Sequence, residues 1–174
     1  MNKAAFLDRD GTINIDYGYV HDIKNWKFTE NAIEAIKILN DNNFIVIVIT
    51  NQSGVARGFY KEEDIFNLHI EVNKILAKYG AHIDKFYYCP HHTESKIPRY
   101  RIDCDCRKPK SALFSKAVIE NNIDIIESIA CGDNDRDTQA AMKIGITKIG
   151  QIGFNCDSLY DWVVNSGFVN RETS

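Results

Sequence analysis

Residues 4–12 read AAFLDRDGT, and residues 13–16 continue INID. Four apolar residues run straight into Asp8 and Asp10, two carboxylates two positions apart, and then into Gly11 and Thr12. The apolar run Ala4 to Leu7 predicts a short strand. A surface loop could carry the two acids by accident. A strand end that must hold a metal and a phosphate would require them, so the other strand ends decide between the readings.

Working outward, apolar positions from Ala32 to Leu39 recur at helical spacing between Glu30 and Asn42. Phe44 to Ile49 is continuously apolar and largely β-branched, as expected of a parallel strand buried on both faces. Ile65, Leu68, Val72, Ile75, Leu76 and Tyr79 predict a second helix, with Gly80 as its stop. Ile83 to Tyr88 reads as a third strand, and a polar segment from His91 to Lys110 comes next. Ala112 to Glu120 reads as a helix capped by Ser111. Ile129 to Asp133 reads as a fourth strand, Asp137 to Ile144 as a helix closed by Gly145, Thr147 to Ile152 as the last strand, and Leu159 to Val164 as a closing helix. Strands alternating with helices imply βαβ units and one parallel sheet covered on both faces.

Ligands in such sheets bind beyond the carboxyl ends of the strands. The second strand ends in Thr50-Asn51-Gln52-Ser53-Gly54 and the fourth in Gly132-Asp133-Asn134-Asp135. Carboxylates gathered on one rim repel unless a cation sits among them, and oxygen-only ligands favour Mg²⁺. Hydroxyls of Thr50 and Ser53 and the backbone of a Gly-containing loop suit a phosphate. Lys108 could neutralise a transferring phosphoryl group. Asp8 then reads as nucleophile and metal ligand. Asp10 reads as general acid and base, with its backbone carbonyl as a further metal ligand. Gly11 and Thr12 turn the chain away so that both side chains face the site.

Cys89-x-His91, twelve intervening residues, and Cys104-x-Cys106 supply four N/S ligands, the donor set of a structural zinc site. His92 is an alternative to His91. Zinc would order a loop poor in apolar residues that runs directly into Arg107 and Lys108. Cys131 and Cys156 read as core thiols. His21, His69 and His82 read as surface or satisfied histidines. Trp26, Trp162, Tyr87 and Tyr88 read as packing, and Arg57 as either a solvated charge or a phosphate contact. Asp137 reads as an orienting residue rather than a third metal ligand.

The bulk properties agree with an enzyme of this kind. The chain has 174 residues, 44% hydrophobic and 26% charged, with a formal net charge of −3. That size suits one domain spanning residues 1–174, with the zinc loop (residues 89–106) inside it. No basic field would recruit nucleic acid or an anionic membrane. No apolar run approaches the roughly 20 residues a membrane span needs. The N-terminus carries no signal-peptide pattern, so a cytoplasmic protein is expected. The odd cysteine count, five, also fits a disulfide framework poorly.

These motifs resemble those of the haloacid-dehalogenase-like phosphatases. DRDGT is similar to their first motif, Thr50 in VIT to the second, Lys108 to the third and GDNDRD to the fourth, in the same order and strand placement. An aspartate two residues after the nucleophile disfavours the superfamily's dehalogenases, which lack it, and its transport ATPases, which carry threonine there. The resemblance implies a Rossmann-like three-layer α/β sandwich, mainly parallel, with no cap domain and with a zinc-binding loop. FLDRDGTIN, DYGYVH, VITNQSGVARG, YYCPHH and CDCRKP look most like the zinc-loop family of D-glycero-D-manno-heptose-1,7-bisphosphate 7-phosphatases. Histidinol-phosphate phosphatases come second. The resemblance implies a substrate contact set of Asp16, Tyr17, Gly18, Tyr19, Thr50, Asn51, Gln52, Ser53, Arg107, Lys108 and Asn134. Thr50 and Lys108 would stabilise the phosphoryl group, and Asp133 would complete the Mg²⁺ site. Relatives often carry Lys where this chain has Asn134, a loss of one positive charge. A monomer acting on a small sugar bisphosphate is expected. A zinc-stabilised binding module without catalysis and a mutase are the competing readings from other classes.

Overall fold

A computed structural model describes residues 1–170. The last four positions of the expected domain 1–174 lie outside the described residues. Five strands form one parallel sheet: β1 (Ala4–Leu7), β2 (Ile45–Asn51), β3 (Lys85–Cys89), β4 (Ile129–Gly132) and β5 (Lys148–Gln151), in the order β3-β2-β1-β4-β5. The crossovers carry α1 (Ala32–Asp41), α2 (Glu62–Ala77), α3 (Ala112–Glu120) and α4 (Asp135–Lys143), and α5 (Leu159–Asn165) closes the described fold. The order reverses between β1 and β4, so the ends of those two neighbours flank the crevice where such sheets bind ligands.

Alternation along the strands splits the core into two layers. Ala5 and Leu7 of β1 face Leu39 of α1, Val72 of α2 and Val163 of α5. Ala4 and Phe6 face Phe114 of α3 and Ala141 of α4. Helices thus cover both faces, which is why β2 could be continuously apolar. Cys131, Cys156 and Trp162 are buried in the first layer, as expected. No inserted domain covers the strand ends among the described residues, and none of the helices there is long and apolar enough to cross a membrane.

Several boundaries differ from expectation for local reasons. β2 runs on through Thr50 and Asn51, because β3 pairs with it as far as Asn51↔Cys89. β3 starts only at Lys85: Asp84 accepts the Val46 N–H with its side chain at 2.8 Å, and Asn73 clasps both backbone groups of Ile83 at 2.8 Å. α2 ends at Ala77, leaving Tyr79 outside the helix and exposed. α4 starts two residues earlier than predicted, because Asn134 and Asp137 form a capping box. Ser111 precedes α3, but its hydroxyl makes no capping bond.

His69 on α2 proves to be a buried, satisfied histidine. Its ring stacks on Phe86 with centroids 4.0 Å apart, and Nε2 lies 3.5 Å from Arg9 Nη1. A guanidinium only donates, so Nε2 accepts and the ring is neutral. Burial, and then the Arg9 charge, push its pKa down to about 3. An unfolded histidine titrates near 6.5, so the folded value is depressed. The associated stability is full above about pH 6.5 and is lost as pH falls toward the folded value, by at most about 1.4 kcal/mol per pH unit. In urea melts between pH 6.5 and 4.5, His69→Gln should therefore lose less stability on acidification than the parent. Parallel loss in both would show that His69 titrates alike folded and unfolded.

Candidate active site

The turn after β1 builds the first wall of the site. The Arg9 carbonyl accepts the N–H groups of Thr12, Ile13 and Asn14, which curls the chain back on itself. Gly11 has φ +84°, and a Cβ there would stand 2.1 Å from the Asp133 carboxylate. The glycine therefore serves both the turn and the approach of this loop to the end of β4.

Lys108 occupies the centre and is buried. Its Nζ donates to Asp8 Oδ1 at 2.7 Å and to the Ile49 carbonyl at 2.6 Å. Nζ also lies 2.7 Å from Asp137 Oδ1, close enough for an ion pair, though Oδ1 receives no well-aligned hydrogen bond. Burial opposes the Lys108 charge, yet Asp8 and Asp137 outweigh it and raise the pKa. Burial pushes Asp8 up to about 7, with Asp137 adding to the rise and Lys108 opposing it. Asp133 is raised by burial and then by Asp137.

Carboxylate oxygens of Asp8, Asp133 and Asp137 lie within 4.8 Å of one another, with one lysine to offset them. This crowded, oxygen-only set of three carboxylates against one ammonium fits a hard divalent cation. The Asp10 carboxylate is not in that cluster. It is held by Arg9 Nη2 at 2.9 Å, Asn14 Nδ2 at 3.0 Å and Gln52 Nε2 at 2.9 Å. Its backbone carbonyl is the group through which Asp10 could join a metal.

A cavity of about 320 Å³ opens over these groups. Asp8, Asp10, Asp16, Gly18, Tyr19, Thr50, Asn51, Gln52, Ser53, Lys108 and Asp133 all line it, so most of the expected site residues converge. Three do not line it. Tyr17 is 60% exposed. Asn134 caps α4 and carries no charge. Arg107 sits beside the cavity, Nη1 reaching the His91 carbonyl at 3.4 Å. Its pKa is lowered by burial, and further by the charges of Arg136 and Arg57.

Sequence reasoning missed Arg9, Tyr60 and Arg136. Arg9 is fully buried, gripping Asp10 and, at 2.6 Å, the Val20 carbonyl. Tyr60 and Arg136 line the cavity from distant positions in the chain. A cation in the first turn of α4, two positions after an asparagine where relatives often carry lysine, was the available signal for Arg136.

The cysteine quartet also assembles. Cys89, Cys104 and Cys106 sulfurs are 3.0–3.4 Å apart, and His91 Nδ1 is 3.3 Å from Cys106 Sγ. Zinc–sulfur bonds of about 2.3 Å around a tetrahedron place sulfurs about 3.8 Å apart, so a small expansion admits the ion. His91 is the histidine gathered with the three sulfurs, while His92 Nδ1 accepts the Glu94 N–H at 3.2 Å. Burial opposes the thiolate at Cys104, but its thiol and imidazole neighbours bring that pKa down to about 7.

Fold and site together define a haloacid-dehalogenase-like phosphatase. Residues 3–151 match the family model described as polynucleotide kinase 3 phosphatase. The chain is 47% identical over 142 residues to the D-glycero-β-D-manno-heptose-1,7-bisphosphate 7-phosphatase of Haemophilus influenzae, covering 82% of this chain and 77% of that protein. It is 39% identical over 169 residues to the Yersinia pestis protein of the same name, covering 94% and 90%. Among solved structures, the D,D-heptose 1,7-bisphosphate phosphatase of B. bronchiseptica, complexed with magnesium and phosphate, superposes with a TM-score of 0.79 at 25% identity, covering 93% and 96%. The chain belongs to the haloacid-dehalogenase-like phosphatases of this family, and it is a hydrolase of phosphate esters.

Elemental analysis after dialysis against a weak chelator should find one zinc per chain. Cys104→Ser should lower the melting temperature and soluble yield before it lowers the specific activity of the folded fraction. Folded, active protein without zinc would exclude the structural role.

Proposed function

We propose that this chain removes the 7-phosphate of D-glycero-D-manno-heptose 1,7-bisphosphate, with Mg²⁺ and through an aspartyl phosphate on Asp8. The observation that carries the chemistry is Asp8 at the crevice floor, with Lys108, Thr50, Asp10 and Asp133 around one open cavity. The names of the relatives carry the choice of sugar.

The phosphoryl group enters above Asp8, where Lys108 and the Thr50 hydroxyl face its oxygens. Asp8 attacks phosphorus as Asp10 hands a proton to the departing sugar oxygen. Asp10, now ionised, takes a proton from water as that water attacks the phosphorus, which breaks the bond to the Asp8 oxygen, releases inorganic phosphate and regenerates both carboxyl groups. Mg²⁺, held by Asp8, Asp133 and the Asp10 backbone carbonyl, would supply positive charge to the phosphoryl oxygens and keep the raised carboxylates ionised. Asp137 serves as an orienting partner of Lys108.

The open rim leaves selection to fixed groups at the mouth. Asp16 to Tyr19 stand on one side. The guanidiniums of Arg107 and Arg136 offer a remote phosphate a bidentate grip that an ammonium cannot copy. That second contact orients the reacting phosphate. A compact monomer working on a small cytoplasmic sugar phosphate is consistent with this mouth and with a net charge that does not favour nucleic acid.

Asp8→Asn should abolish turnover while the melting temperature stays near that of the parent. Retained multiple turnover would exclude Asp8 as the nucleophile. Arg107→Ala should cut kcat/KM for the bisphosphate by about 2–4 kcal/mol, and far less for a sugar monophosphate. Lys108→Ala should damage both alike. The deciding assay is phosphate release from both heptose-bisphosphate anomers and histidinol phosphate. Faster release from histidinol phosphate would overturn the sugar reading.

A further inference from the structure

We propose that Tyr60 is a positioning residue for proton transfer, acting through Gln52 to aim the Asp10 carboxylate at the leaving oxygen. The proposal rests on the reading of Asp10 as the proton donor.

The Gln52 side chain is buried, and both its amide hydrogens and its oxygen are engaged. Its Oε1 accepts the Tyr60 hydroxyl at 2.7 Å. Its Nε2 gives one hydrogen to Asp10 Oδ2 at 2.9 Å and the other to Thr50 Oγ1 at 2.9 Å. An amide nitrogen has two hydrogens, so none remains for a substrate. Gln52 therefore lines the cavity as a support for two working groups. It couples the acid–base residue to the phosphoryl-binding threonine.

Asp10 gains and loses a proton during the cycle, and its demand for a donor changes with it. Tyr60 does not change: its hydroxyl is buried beside the amide oxygen, and burial pushes its pKa up to about 12, so it stays protonated. Its bond to Oε1 holds the amide in place from the end opposite Asp10 while the charge on Asp10 changes.

The chain makes specific room for this contact. A Cβ on Gly54 would stand 2.1 Å from the Tyr60 ring, so only glycine lets the ring lie across the loop and reach Gln52. On the ring's other face His21 stacks, with centroids 4.6 Å apart and planes 15° apart, and His21 Nδ1 lies 2.7 Å from the Tyr19 carbonyl. The loop that carries Asp16 to Tyr19 thus packs on the same ring that sets the amide.

The opposite side of the carboxylate is fixed independently. Arg9 Nη2 contacts both Asp10 oxygens, at 2.9 and 3.0 Å, and Asn14 holds Oδ1. Loss of the Gln52 bond would leave Oδ2 with the guanidinium alone. The carboxylate could then pivot about Arg9, away from the direction the leaving oxygen requires.

The test uses leaving-group dependence. In this scheme kcat/KM reports phosphoenzyme formation, the step in which Asp10 protonates the departing oxygen. A sugar alcohol needs that proton, whereas nitrophenolate leaves without it. Tyr60→Phe keeps the ring and its stacking, and Gln52→Leu keeps the volume. Both should lower kcat/KM for the heptose bisphosphate by about 10-fold or more, a part of the 10²–10⁴ that general acid catalysis supplies. The reading is the ratio of kcat/KM for the heptose bisphosphate to kcat/KM for p-nitrophenyl phosphate, which should fall by about 10-fold in both variants and in which any general loss through Thr50 or stability cancels. Asp10→Asn, measured alongside, should depress the same ratio further. If Asp10→Asn depresses the ratio and neither Tyr60→Phe nor Gln52→Leu does, the relay is overturned while the acid assignment stands. If Asp10→Asn leaves the ratio unchanged, the acid assignment fails and takes the relay with it.

Discussion

The ammonium of Lys108 is the contact on which the site depends. It is buried, and it joins the end of β1 through Asp8, the end of β2 through the Ile49 carbonyl and the start of α4 through Asp137. Burying a charge costs several kcal/mol unless its partners compensate, and removing one partner of such a group costs about 3–5 kcal/mol. Lysine and carboxylates are thus mutually required. Without the lysine, Asp8, Asp133 and Asp137 would crowd their negative charges within 4.8 Å. Without the carboxylates, the lysine could not enter the core. The same balance leaves the cluster acidic, which is the condition for attracting a cation and then a phosphate.

Lys108 reaches this position from a segment with little apolar content of its own. Between Cys89 and Cys106 the chain has a single 3-10 turn, Pro98–Tyr100, and its order comes from outside. Tyr100 packs beside Val55, Tyr60 and Ile65, and its hydroxyl donates to Glu62 at 2.8 Å. The Cys89, His91, Cys104, Cys106 quartet gathers the two ends, and Asn51 clasps the backbone of Lys108 from β2. Aim is therefore delivered by a clamp at the base of the loop rather than by a hydrophobic core within it. Arg107 and Lys108 are neighbours in sequence but point apart, one toward the His91 carbonyl and the other to the crevice floor.

The elements and the catalytic rim were largely legible in the chain itself. Continuous apolar strands announced a sheet covered on both sides, and polar residues at three strand ends marked the rim. Misplaced boundaries arose where side chains replaced backbone pairing, as Asp84 does for β3 and Asn134 for α4. Arg9 was overlooked because arginine is seldom fully buried. The choice between His91 and His92 also had to wait for coordinates, since spacing alone admits both.

What the sequence by itself determined is what depends on period and order: parallel strands, their helices, acids where strands stop, and three cysteines with a histidine pair gathered around one loop. What only the tertiary structure decided is which groups share a hydrogen bond. Tyr60 with Gln52, Arg9 with His69, and Lys108 with Asp8 join residues on separate elements, as does the ion pair of Lys108 with Asp137. Periodicity says which face of an element is buried. It does not encode the angle at which two elements meet, and a shift of about 1 Å is enough to make or break a hydrogen bond. The placing of the Asp10 carboxylate, the commitment of the Gln52 amide and the presence of Arg136 at the mouth all arise at that finer scale.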